Sequence, residues 1–137
     1  MAKDIFHESV KFALRSDGWN ITHDPLTVKL SRRNIFIDLG AEKLIAAERG
    51  NEKIAVEIKS FVGMSPMTDF YKALGQYQLY LLALRRRFPD RVLYLAIPEE
   101  SYQILVNDDV LEEFLLELSL KIIIFNPDSQ LIVKWIR

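Results

Sequence analysis

The chain has 137 residues, of which 50% are hydrophobic and 27% charged, the size and composition of a single domain, residues 1–137, around one core. Eighteen Lys and Arg stand against nineteen Asp and Glu for a net charge of −1. That balance excludes a generally basic nucleic-acid coat and leaves such contacts to a local patch. With no cysteine, disulfides and thiolate metal sites are excluded as well, and His7 and His23 alone argue against a histidine-based zinc cluster.

A first helix is expected over residues 4–17, where Phe6, Val10, Ala13 and Leu14 recur at helical spacing and Gly18 stands at the C-terminal cap. Residues 19–24 alternate like a strand that stops at Pro25, and Leu26, Val28 and Leu30 alternate again before a polar turn at 31–34. Residues 35–39 and 43–48 read as strand around a kink at Gly40, and Arg49-Gly50-Asn51-Glu52 signals a tight hairpin into a strand over 53–61. Ser65-Pro66 opens a helix whose apolar positions run from Phe70 to Phe88, and Pro89 ends it.

Residues 91–97 are apolar on both faces, as in a central strand. Residues 99–118 read as one or two helices, with Asn107 or Asp108 as an internal cap. Strands over 121–125 and 130–135, joined across Asn126-Pro127-Asp128, close the chain. The fold class is therefore α/β of the α+β kind, a mixed sheet with helices packed on it and a C-terminal β-hairpin. The stretch MAKDIFHESV has no apolar h-region, and no apolar run approaches the ~20 residues of a membrane helix. A soluble, cytoplasmic protein without membrane contact is expected.

The strand I-A-V-E-I-K-S-F holds the informative feature. Alternation puts Ala55, Glu57 and Lys59 on one face and Ile54, Val56 and Ile58 on the other. The bland account is a solvated ion pair worth at most ~1 kcal/mol. Asp38, in I-F-I-D-L-G, also interrupts an apolar strand, and a hairpin could lay that strand beside the one carrying Glu57. Two carboxylates on neighbouring strands, with the Ile58 backbone carbonyl as a third ligand, make a hard-oxygen site for Mg²⁺ or Mn²⁺. Lys59 would sit beside it to orient water or neutralise charge on phosphate. Glu42 lies nearer the turn and is the alternative to Asp38, because a bulge at Gly40 could shift the register.

Carboxylate followed by carboxylate-x-lysine on adjacent strands resembles the site of the PD-(D/E)XK nucleases, and the element order resembles their restriction-endonuclease-like αβββαβ core. The resemblance assigns Glu8, on the first helix, and Gln76, in A-L-G-Q-Y, to acidic and glutamine positions that some members carry. Asp38 departs from the pattern in being followed by Leu and not preceded by Pro.

The stretches A-K-D-I-F-H, D-G-W-N-I-T-H-D-P-L, I-D-L-G-A-E-K-L-I-A-A-E, K-I-A-V-E-I-K-S-F, A-L-G-Q-Y and I-V-K-W-I are together similar to the cyanobacterial XisH family along essentially the whole chain. That resemblance implies a controlling factor for excision of the fdxN element, acting with a site-specific recombinase and a XisI-type protein. The name implies a role in DNA rearrangement without a demonstrated reaction. A metal-dependent endonuclease, a non-catalytic DNA- or protein-binding module, and the nuclease half of a toxin–antitoxin-like pair all remain open on sequence. For DNA, Lys29, Arg32 and Arg33 form the best cationic cluster, ahead of Lys11, Arg15, the Arg85-Arg86-Arg87 run and Arg91. Surplus apolar residues at Phe114, Leu115, Leu116 and Leu118 could serve a homo-oligomer contact.

Overall fold

Among the described residues six strands form one sheet in the simple spatial order β1 to β6, and helices cover both of its faces. The computed structural model describes residues 5–28, 44–61 and 65–137. In chain order the elements are α1 (His7–Ser16), β1 (Asn20–Leu26), β2 (Leu44–Arg49), β3 (Glu52–Ile58), α2 (Pro66–Arg87) and β4 (Val92–Pro98). They continue with α3 (Glu99–Val106), α4 (Asp109–Leu118), β5 (Ile122–Asn126) and β6 (Leu131–Ile136). The pairs β1–β2, β2–β3 and β5–β6 are antiparallel, while β3–β4 and β4–β5 are parallel. Each parallel step carries its helical crossover, α2 in the first and α3–α4 in the second.

Local chemistry sets the element ends. Gly18 takes φ +89° after α1, a conformation glycine adopts without a Cβ penalty, and the Trp19 N–H then donates to the Leu14 carbonyl at 2.9 Å. Gly50, at φ +59°, turns the β2–β3 hairpin. Ser65 caps α2 by accepting the Thr68 N–H at 3.3 Å. Asp108 separates α3 from α4 and accepts the N–H groups of Val110 and Leu111 at 2.9 and 3.2 Å. The expected helical stretch over 99–118 is thus two helices.

Two strand boundaries differ from the sequence reading. β1 passes through Pro25 to Leu26 instead of stopping before it. Among the described strands it is the edge of the sheet, where a residue without an N–H is best tolerated, and its register shifts between His23 and Leu26. β3 ends at Ile58, short of the expected residue 61, although the Lys59 N–H still donates to the Ala96 carbonyl at 3.0 Å.

Alternation divides the core in two. Ile54, Val56 and Ile58 of β3 pack with Val10 and Leu14 of α1 on one face. Ala55 packs with Phe70, Tyr77 and Leu84 of α2 and with Leu105, Leu111 and Leu115 of α3 and α4 on the other. A separate ionic cluster ties α1 to β1. His7 Nε2 lies 2.8 Å from Asp24 Oδ1, and Lys11 Nζ lies 2.7 Å from Asp24 Oδ2.

Candidate functional site

Glu57 sits on β3, third of the six strands, opposite Leu95 of β4. Its parity with Ala55 turns it toward α2. The side chain is 1% exposed, and neither carboxylate oxygen has a hydrogen-bond partner among the described residues. A buried charge without such bonds is costly, so the group favours its neutral form. Burial pushes the Glu57 carboxyl up to about 8 from an ordinary value of 4.5.

Lys59 follows on the same face, just beyond the end of β3. Its Nζ stands 3.6 Å from Glu57 Oε1, close enough for attraction and too far for a good hydrogen bond. The ammonium instead donates to Gln76 Oε1 on α2. At Glu57, burial outweighs this neighbouring charge. Lys59 is itself largely sheltered, with 12% of its side chain exposed.

Tyr77 completes this wall of α2. Its hydroxyl donates to the Leu93 carbonyl at 3.2 Å and meets the Lys121 N–H at 3.5 Å. Burial raises the Tyr77 pKa, the Lys121 bond opposes the rise, and the charge of Glu57 adds to it. Tyr77 falls within the run of apolar helix positions from Phe70 to Phe88, and the sequence reading did not single out its polar tip. Its position next to Gln76, on a helix expected to cover the strand, was the available signal.

The structure therefore brings together three of the expected site residues, Glu57, Lys59 and Gln76. Glu8 is exposed on α1, which packs on the opposite sheet face, and its Oε2 lies 3.8 Å from Lys11 Nζ. The Ile58 carbonyl belongs to the last residue of β3. Asp38 and Glu42, the two alternatives for the second carboxylate, lie outside the described residues, as do Lys29, Arg32 and Arg33.

Arg91, named above as a cationic candidate, is occupied within the fold. It donates to the carbonyls of Ala47 and Ile54 and pairs with Glu48 at 3.3 Å, and 7% of its side chain is exposed. Lys11 is likewise engaged with Asp24. Arg15 and the Arg85–Arg87 run remain exposed.

The donor chemistry at Glu57 fits a hard divalent cation. Two buried oxygens without hydrogen bonds are the ligand type Mg²⁺ and Mn²⁺ select. The described residues supply one such carboxylate, and among them no three His, Asp or Glu side chains gather into a metal-holding group. No helix among them is long and apolar enough to cross a membrane.

The family model described as XisH protein matches residues 1–133. A crystal structure of an XisH family protein from Nostoc punctiforme is 45% identical, covers 98% of this chain and 100% of its own, and superposes with a TM-score of 0.88. A crystal structure of an fdxN element excision controlling factor protein from Anabaena variabilis is 44% identical, with 98% and 99% coverage and a TM-score of 0.88. No curated protein matches the chain significantly.

Proposed function

The chain belongs to the XisH family, and from that premise we propose that it controls excision of a DNA element through a nuclease-type cation site built on Glu57, Lys59 and Gln76. The observation that carries this reading is the buried Glu57 carboxylate, with two unbonded oxygens beside a lysine. A side chain kept at this cost in a strand interior is better explained by a cation than by stability. The excision role comes from the Anabaena variabilis relative, described as an fdxN element excision controlling factor. The order α1-β1-β2-β3-α2-β4 is what supports a place in the PD-(D/E)XK superfamily. DNA as substrate, and a XisI-type protein and a site-specific recombinase as partners, belong to the same proposal through the family resemblance.

In this reading Glu57 holds Mg²⁺ or Mn²⁺, assisted by the Ile58 carbonyl and by Asp38 or Glu42. The bound cation supplies charge neutralisation at a phosphodiester and a more acidic water. Lys59 provides a fixed positive charge for phosphate oxygens, and Gln76 holds its ammonium in place from α2. Glu57 would have to lose its proton as the cation enters, so occupancy rises with pH.

The test is nicking of supercoiled plasmid in Mg²⁺ or Mn²⁺ by the wild type, Glu57→Ala and Lys59→Ala. Nicking by the wild type that both variants lose supports the reading. Wild-type nicking that survives Glu57→Ala contradicts it. So does the absence of any nicking when the XisI-type protein, the recombinase and element DNA are all supplied.

A further inference from the structure

The outward face of α2 carries a line of residues that the described elements leave exposed. Tyr71, Leu79 and Leu82 are 62%, 44% and 54% exposed. They share a stripe with Gly75, since positions 71, 75, 79 and 82 are separated by three or four residues. Gly75 is exposed, and a Cβ built there meets no atom within 4 Å. Glycine weakens an exposed helix interior, so its presence here suits close approach by another backbone or side chain.

Charge is divided along the same helix. Its C-terminal end carries the exposed Arg85, Arg86 and Arg87. Its N-terminal half forms one wall of a groove of about 370 Å³, with Phe70, Tyr71 and Leu74 facing Leu111, Phe114 and Leu118 of α4. Glu117 also lines that groove. From residue 92 to residue 120 the chain has seven acidic residues and no Lys or Arg. Glu117 at the groove, on an α4 that carries no Lys or Arg, attracts a basic helix end.

We propose that this face is the interface of a two-fold homodimer in which the α2 helices of two copies pack antiparallel. A two-fold axis beside residues 78 and 79 matches every feature of the stripe at once. It sets Leu82 of each copy over the other's Gly75 gap. It sets Gln78 opposite Leu79 and Arg86 opposite Tyr71. The basic end of each α2 then reaches the apolar groove beside Glu117, and the contact is made twice, as an isologous interface requires. A second copy is favoured over a foreign helix because the chain itself presents the apolar and basic surface complementary to its groove. The inference rests on α2 and α4 alone and stands apart from any chemistry at Glu57.

Sedimentation equilibrium of the full chain, with Leu82→Asp, Arg86→Glu, Glu117→Arg and the last two combined, tests it. The expected result is a wild-type dimer at micromolar concentration, weakened about tenfold or more by Leu82→Asp. Arg86→Glu and Glu117→Arg each weaken it, and the double charge reversal restores it. Because these side chains are solvent-facing in a single copy, circular dichroism should show all variants folded. A wild type that stays monomeric at all concentrations, including one that captures a basic amphipathic peptide in the groove, overturns the proposal. A dimer indifferent to Leu82→Asp, or a charge reversal without rescue, overturns it as well.

Discussion

Replacing Glu57 by Gln keeps the shape of the side chain and removes its ability to ionise, so the variant reads what burial does to the carboxyl. In the folded chain the group titrates at about 8, against an ordinary 4.5. Between those values the native state holds a proton that the unfolded chain has already released. Stability then falls as pH rises, by about 1.4 kcal/mol for each pH unit. Across the whole window the loss is on the order of 5 kcal/mol, a large share of a domain's 5–15 kcal/mol. The contribution is fully present below the lower value and gone above the upper one.

Gln has no such window, so Glu57→Gln lacks this slope and exceeds the wild type in stability near about pH 8. Urea unfolding of both proteins in chelator-treated buffers across the window provides the measurement. Parallel profiles for wild type and variant would refute the reasoning, because they would show Glu57 ionised in the fold or its charge fully compensated.

Lys59→Met removes the ammonium 3.6 Å from Glu57 and should raise the Glu57 pKa further, which carbon-detected NMR titration of the carboxyl would register as a transition at higher pH. Asp24→Ala breaks two close contacts, to His7 and Lys11, and should cost roughly 1–3 kcal/mol in urea unfolding. Burial opposes ionisation of Asp24, but hydrogen bonds and charge from Lys11 and His7 outweigh it and hold the carboxyl below its usual 3.8. Its contribution is therefore present above that value and lost as pH falls through the lowered one, so the wild type should lose more stability than Asp24→Ala on acidification. Asp108→Ala removes the acceptor for Val110 and Leu111 and should destabilise by about 1 kcal/mol, again by urea unfolding, as for other N-caps.

Much of the architecture was legible because local signals agreed with the tertiary fold. Gly18, the Gly50 hairpin, the Ser65 cap and Pro89 all end elements near where their chemistry requires. Pro25 misled because its effect depends on whether a strand lies at an edge, a fact set by sheet order and not by the dipeptide. The core of the candidate site was readable at Glu57 and Lys59, since a carboxylate and an ammonium break an apolar alternation there. Gln76 came from family resemblance alone, and only the packing of α2 on β3 explains its bond to Lys59. The joint engagement of Lys11 and His7 by Asp24 was invisible because it links positions more than a dozen residues apart. Arg91 likewise looked like a surface cation until the sheet placed two carbonyls and Glu48 around it.

The most direct test of the central claim is calorimetric titration of Mn²⁺ into wild type and Glu57→Gln near pH 7, repeated in two buffers of different ionisation enthalpy. At that pH the buried carboxyl, with its value of about 8, is mostly protonated, so a cation that binds it must displace the proton. Saturable binding by the wild type with release of close to one proton, absent in Glu57→Gln, is the expected result. Binding that is equal in both proteins, or no binding by the wild type, would show that Glu57 is not a cation ligand.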